Sequence, residues 1–240
     1  MTCFCDCAKI KAYYLTKASG KMEIRGVLFD MDGVLVNTEK VLMRSTQETL
    51  ARWGIKADPE DFVPFIGAGE DRFVGGAAEA HGVPYDPVMK RLTYVRYEAL
   101  VAQTDIVMPR VLEMLGLLKD HGIRIAVCSA ADRQKLMINI RALGLPLDFF
   151  DAVLSAEDAP RKKPAPDIYL AGADALRLDS GVCLVVEDAV NGIIAGRAAG
   201  CRTAGVTTFF DRETLQRLAS PDRIVAEPFE IAGLVLGTGI

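Results

Sequence analysis

Long apolar runs are the first thing this 240-residue sequence lacks: Asp, Gly or Arg breaks every apolar segment well short of the roughly 20 residues that a bilayer span needs. No membrane association through a spanning helix is expected. Positive charge is also in deficit. With 28 Lys and Arg against 32 Asp and Glu the net charge is −4, so no global field exists to hold nucleic acid or an anionic lipid surface. The expected partner is a small soluble molecule, and a monomer is the expected state. A disulfide framework is missing too. Cys3, Cys5 and Cys7 crowd the N-terminus, whereas Cys128, Cys183 and Cys201 each sit in an apolar run that reads as a buried strand. The Cys-x-Cys-x-Cys tail has no nearby histidine or second cysteine pair to complete a tetrahedral metal site. Internal repeats and low-complexity tracts are absent. What remains is 50% hydrophobic and 25% charged, the balance of a globular protein with a well-buried core.

Residues 1–21 mix Lys9, Lys11 and Lys17 with Tyr13 and Tyr14, and contain no continuous apolar region of the secretory kind. They read as a leader or disordered tail. The expected location is the cytoplasm, or the plastid stroma if the leader is a presequence remnant. From Ile24 the pattern becomes regular. The run Val27-Leu28-Phe29 ends at Asp30, and Glu39 to Trp53 carries apolar residues at helical spacing. Further apolar runs at Ile123–Cys128, Ala152–Leu154, Val182–Val186 and Arg202–Val206 alternate with helical stretches. That alternation predicts an α/β fold with a doubly wound parallel-sheet core. Residues 38–107 break it with helical patterns and no buried strand, so they are expected to form an inserted helical cap. The core then comprises 22–37 and 108–240, re-entered at Met108-Pro109, with the proline in the first turn of a helix over Arg110–His121.

Four polar features fall at the ends of separate strands, the edge of an open parallel sheet where ligands bind. In Asp30-Met31-Asp32-Gly33 the two carboxylates lie two residues, roughly 6–7 Å, apart on one side of an extended chain. One can attack phosphorus while the other handles the leaving-group proton. A turn with two solvated aspartates explains the same residues, although here they follow a buried strand. Ser129 and Ala130 follow the second strand where a helix begins, offering a hydroxyl and free N–H groups to phosphate. Helix capping by Ser129 or Asp132 is the alternative. Lys163, beside Pro164 and Pro166, can neutralise a transferring phosphoryl group or sit as a solvated lysine beside Arg161 and Lys162. Glu187-Asp188 ends another apolar run and offers hard oxygen ligands suited to Mg2+, with capping by Asp188 as the competing role.

In order and spacing these features resemble the motifs of the haloacid dehalogenase-like superfamily, over nearly the whole chain from Ile24 onward. The insert resembles the helical cap of the subgroup of beta-phosphoglucomutases and small-sugar phosphatases. The resemblance implies a Rossmann-like core and a Mg2+-dependent phosphatase acting on a small phosphorylated metabolite such as a sugar phosphate. It further implies that Asp30 is the nucleophile, Asp32 the general acid/base, and Ser129, Ala130 and Lys163 the phosphate grip. Mg2+ would be held by Asp30, the Asp32 backbone carbonyl and Asp188, with Glu187 as a direct or outer ligand. A phosphosugar mutase is the first alternative, and a non-catalytic protein retaining the fold the second. Two departures weigh against the mutase: Leu42 stands where those enzymes have a histidine, and Glu70 where they have a phosphate-holding arginine. Arg72, Lys90 and Arg91 are the replacement candidates. The stretch from Asp61 to Glu70 also resembles the cap of a phosphatase-like domain in a plant thylakoid protein.

Overall fold

The computed structural model describes residues 23–65 and 69–238. The expected leader and its cysteines lie outside the described residues, as do Gly67 and Ala68 of the cap loop. Strand β1, Gly26–Phe29, has all its residues buried. Apolar residues on both faces of a strand require cover on both sides, and the alternation shows how it is met. Val27 and Phe29 pack into one apolar cluster with Val111, Met114, Leu115 and Ile231, while Leu28 packs into a second with Ile168, Tyr169 and Ala195. Each fully buried side chain of this kind contributes on the order of 1.5–3 kcal/mol.

Five further strands join it: β2 (Arg124–Cys128), β3 (Ala152–Leu154), β4 (Cys183–Glu187), β5 (Arg202–Val206) and β6 (Arg223–Val225). The sheet order is β3-β2-β1-β4-β5-β6 and every pairing is parallel. The order reverses beside β1, which opens the ligand crevice of a doubly wound sheet at the carboxyl ends of β1 and β4. The expected α/β doubly wound core is borne out. Two details differ. Strand β4 starts after Val182 and includes Glu187, and β6 was not anticipated, because three residues at a sheet edge leave almost no periodic signal.

Helices α1 (Glu39–Leu50), α2 (Glu70–Ala80) and α3 (Pro87–Val101) follow β1 without any intervening strand. Asp86 accepts from Val88 N at 2.8 Å and Pro87 takes the first turn of α3, a start that sequence chemistry dictates. The apolar cluster of the sheet continues into these helices through Leu50, Phe73 and Tyr97, and into the segment between α1 and α2 through Phe62. The chain leaves and re-enters the core side by side: Asn37 N donates to Ile106 O at 2.7 Å and Met108 N to Leu35 O at 3.0 Å.

The remaining helices are α4 (Val111–Asp120), α5 (Arg133–Ala142), α6 (Asp167–Ala175), α7 (Val190–Ala198), α8 (Arg212–Leu218) and α9 (Glu230–Leu236). Pro109 is not in the first turn of α4, contrary to expectation. Arg110 adopts a left-handed conformation (φ 57°) as the residue before the helix, with its guanidinium on Glu113 and over the Phe229 ring. Among the described residues no helix is long and apolar enough to cross a membrane.

Candidate active site

Parallel pairing with β4 carries β1 straight into the crevice, and Asp30 N donates to Val186 O at 2.9 Å immediately beyond the last strand residue. The Asp30 carboxylate is buried and meets the Lys163 ammonium at 2.6 Å. Lys163 is no solvated surface lysine. Its other partners are Glu187 Oε1 at 2.6 Å and Cys128 O at 3.0 Å, which together use its three donors. Burial works against the charged ammonium, but Asp30 and Glu187 outweigh it and hold Lys163 above its ordinary range.

Glu187 is clasped from several sides, by Lys163, by Tyr169 OH at 2.7 Å and by Ala189 N at 3.1 Å. Its carboxylate lies against α7 where a Cβ on Gly192 would fall 1.7 Å from Oε1, so only glycine leaves room. Asp188 presses on the loop after β1 in the same way. Gly33 has φ +78°, and a Cβ there would fall 1.8 Å from Asp188 Oδ2. The residue that precedes α7 at the cap position is Ala189, which has no side-chain oxygen to cap the helix, and this removes the capping role considered for Asp188.

Asp188 is buried and accepts no hydrogen bond among the described residues. One oxygen each from Asp30, Glu187 and Asp188 lies within 4.8 Å of the others, with Lys163 as the neighbouring cation. Three carboxylates against one ammonium is unstable electrostatics without a further positive charge. Desolvation first, then Glu187 and Asp30, push Asp188 well above the carboxylate range. Desolvation likewise raises Asp30 to about 7, against the pull of Lys163 and with Glu187 and Asp32 adding to the rise. A hard divalent cation fits this all-oxygen, under-compensated donor set.

Ser129 is buried after β2. Its backbone N donates to Leu154 O at 2.9 Å and its hydroxyl accepts from Ala131 N at 3.1 Å, while Ala130 beside it is exposed. Asp132 precedes α5 but does not cap it, because its carboxylate receives Lys90 at 2.8 Å and Tyr94 OH at 3.1 Å from α3. Asp32 has a separate set of partners. It accepts from the Thr38 hydroxyl, from Lys135 Nζ at 2.9 Å and from Asn139 Nδ2 at 3.2 Å. Lys135, Asn139, Tyr169 and Thr38 were missed by sequence reasoning. Lys135 and Asn139 stand four apart on one helix face among Leu136, Ile138 and Ile140, which was the available signal.

Residues 24–200 match the haloacid dehalogenase-like hydrolase family. The chain belongs to that family. This haloacid dehalogenase-like chain is 32% identical over 185 residues to hexitol phosphatase B of Escherichia coli, covering 75% of this chain and 82% of the relative. It is 38% identical over 206 residues to the chloroplastic protein Suppressor of Quenching 1 of Arabidopsis thaliana, spanning 84% of this chain but only 19% of that relative's length. In structure it resembles CbbY from Rhodobacter sphaeroides in complex with phosphate, with a TM-score of 0.76 and 27% identity over 87% of this chain and 96% of that one. The resemblance read from the motifs is thereby borne out at the level of family, core and cap.

A surface cleft of about 700 Å³ is lined by Arg212, Arg217 and Arg223 between α8 and β6 and contains none of the carboxylates described above.

Proposed function

We propose that this chain is a Mg2+-dependent phosphatase for a small phosphorylated metabolite, with Asp30 as nucleophile, and that residues 38–107 form the cap over its site. The observation that carries the reading is Asp30 itself, held at 2.6 Å by Lys163 in an acidic group with one ammonium for three carboxylates. Asp30, the Asp32 backbone carbonyl and Asp188 would hold Mg2+. The engagement of Glu187 by Lys163, Tyr169 and Ala189 supports an outer role for it. Bound there, the ion supplies positive charge to the phosphoryl oxygens.

An Asp30 oxygen attacks phosphorus and the bond to the leaving oxygen breaks, with Asp32 delivering the proton that the departing alcohol takes up. Water then attacks the aspartyl-phosphate, gives its proton to Asp32, and the bond between phosphorus and Asp30 breaks to release phosphate. Ser129, the N–H of Ala130 and Lys163 stabilise the phosphoryl oxygens throughout.

Hydrolysis is favoured over the mutase reading because two of the three cap cations considered for a second phosphate, Arg72 and Lys90, are otherwise engaged. Arg72 pairs with Glu79 at 3.2 Å on the surface, and Lys90 bridges Asp71 and Asp132 at 2.8 Å each. The phosphatase-named relative supports a sugar or sugar-alcohol phosphate as substrate, and the chloroplastic relative supports the plastid alternative for location. The test is a screen of phosphate release from phosphorylated sugars with and without Mg2+, including glucose 1-phosphate and its bisphosphate. Conversion of glucose 1-phosphate to glucose 6-phosphate, primed by the bisphosphate and without net phosphate release, would establish the mutase instead.

A further inference from the structure

Three guanidinium groups gather in the cleft between α8 and β6. Arg212 and Arg217 stand on the outer face of α8, Arg223 opens β6, and together they line its volume of about 700 Å³. Among the described residues none of the three has a carboxylate within ion-pairing distance, and Arg223 meets only the carbonyl of Asp222, at 2.8 Å. On other surfaces Arg44, Arg110, Arg141 and Arg161 each meet a carboxylate at 2.6–2.9 Å. In a chain of net charge −4 carboxylates are not scarce, and like charges left together repel one another.

The walls of the cleft are fixed by the core. Leu215 anchors α8 against Ile193 and Ala219, which leaves Arg212, Glu213, Gln216 and Arg217 exposed on one face. Arg197 holds the turn after α8 by donating to Ala219 O at 2.7 Å and Ser220 O at 3.2 Å. Asp222 also lines the cleft, but its Oδ1 takes Arg202 at 3.1 Å and its Oδ2 takes Thr203 N at 2.8 Å. Glu213 is thereby the one lining carboxylate without a partner among the described residues. The helix end adds nothing to the attraction, because Asp211 already accepts from Thr214 N at 2.7 Å.

Three guanidinium groups against Glu213 leave an excess of positive charge that a phosphate monoester, at about −1.5 to −2 near neutral pH, offsets. Their forked N–H donors match its oxygens. Glu213 and Gln216 add acceptors for hydroxyl groups, which a bare anion does not use. Pro221 and Ile224 are the apolar residues of the lining and no aromatic ring joins them, so neither a nucleobase nor a lipid chain finds a surface to rest on. We propose that this cleft is a second ligand site, separate from the catalytic crevice, which binds a phosphorylated polyhydroxy metabolite without hydrolysing it. It contains none of the carboxylates of the crevice, so the site stands whether or not the phosphatase reading does.

The test is calorimetric titration of the full chain in EDTA at low ionic strength, with glucose 6-phosphate and inorganic phosphate as probes. The double variant R212Q/R217Q should weaken glucose 6-phosphate binding by at least about 10-fold, the scale of a lost charge-assisted hydrogen bond. The control R44Q/R141Q removes the same charge from other surfaces and should change it by less than about twofold. E213A should tighten inorganic phosphate by about 2–5-fold through loss of a like charge, and should narrow the preference for the sugar phosphate through loss of a hydroxyl acceptor. Absence of glucose 6-phosphate binding to the unaltered chain, survival of binding in R212Q/R217Q, or equal weakening by the two double variants would overturn the site. Equal affinity of the unaltered chain for both probes would overturn the polyhydroxy ligand. Should thermal melting show that R212Q/R217Q does not fold, R223Q on the opposite wall, compared with R44Q, decides the matter.

Discussion

Two groups of carboxylates share the crevice, and they are compensated in different ways. On the cap side each of Asp32, Glu70, Asp71 and Asp132 touches the ammonium of Lys135 or Lys90. On the core side Asp30 and Glu187 share Lys163, and Asp188 is buried and, among the described residues, has no donor. In the first arrangement every carboxylate has an ammonium within 3.4 Å. The second keeps all its carboxylates ionised only with an added positive charge, which suits a site for a divalent ion and a phosphate.

The largest break in that comparison comes from the nucleophile. Asp30→Asn should lower turnover by more than about 10⁴-fold, the scale on which loss of a nucleophile acts, while thermal melting shows the fold intact. Substantial turnover in a folded variant would remove the covalent mechanism.

Next is the space reserved for Glu187. Gly192→Ala places a Cβ 1.7 Å from its carboxylate and should displace it, lowering activity and costing about 1–3 kcal/mol in stability through overpacking. Gly116→Ala in α4 meets nothing within 4 Å, and it should be neutral or stabilise by about 0.5–1 kcal/mol. Chemical denaturation measures both, and equal effects would show that crowding at Glu187 is unimportant.

Stability against pH sharpens the contrast further. Without a divalent ion the folded protein holds the Asp30 proton to about 7, above the ordinary 3.8, so the native state binds protons more tightly than the unfolded chain. That contribution is complete below about pH 4 and is lost as pH rises through 7. The metal-free melting temperature should therefore decline across this window, and magnesium, which favours the ionised carboxylates, should flatten the decline. A flat metal-free profile would contradict the picture.

The smallest effect is expected at Arg72, which is exposed and paired with Glu79 on the surface. Arg72→Ala should change stability by less than about 0.5–1 kcal/mol, and substrate preference hardly at all. A shift toward or away from bisphosphates in the substrate screen would return this residue to the site.

The same comparison explains what the sequence revealed. Asp30, Ser129, Lys163, Glu187 and Asp188 were legible because short buried strands end at or near them, and strand ends of a parallel sheet converge on one edge. Lys135 pairs with Asp32 across 103 positions, and Glu70 joins them from the cap. Such contacts arise from the packing of helices whose local pattern reads as an ordinary amphipathic face. The unanticipated β6 had too few residues for any periodicity, and the capping roles weighed for Asp132 and Asp188 gave way to ion pairing in one case and close approach to Gly33 in the other.

Calorimetric titration with magnesium tests the central claim most directly, using the full chain, Asp188→Asn and Asp32→Asn. The under-compensated core group predicts that the unaltered chain binds one ion, that Asp188→Asn weakens binding by about 10–100-fold, and that Asp32→Asn, whose backbone carbonyl is unchanged, binds nearly as before. No binding to the unaltered chain, or equal weakening by both substitutions, would contradict it.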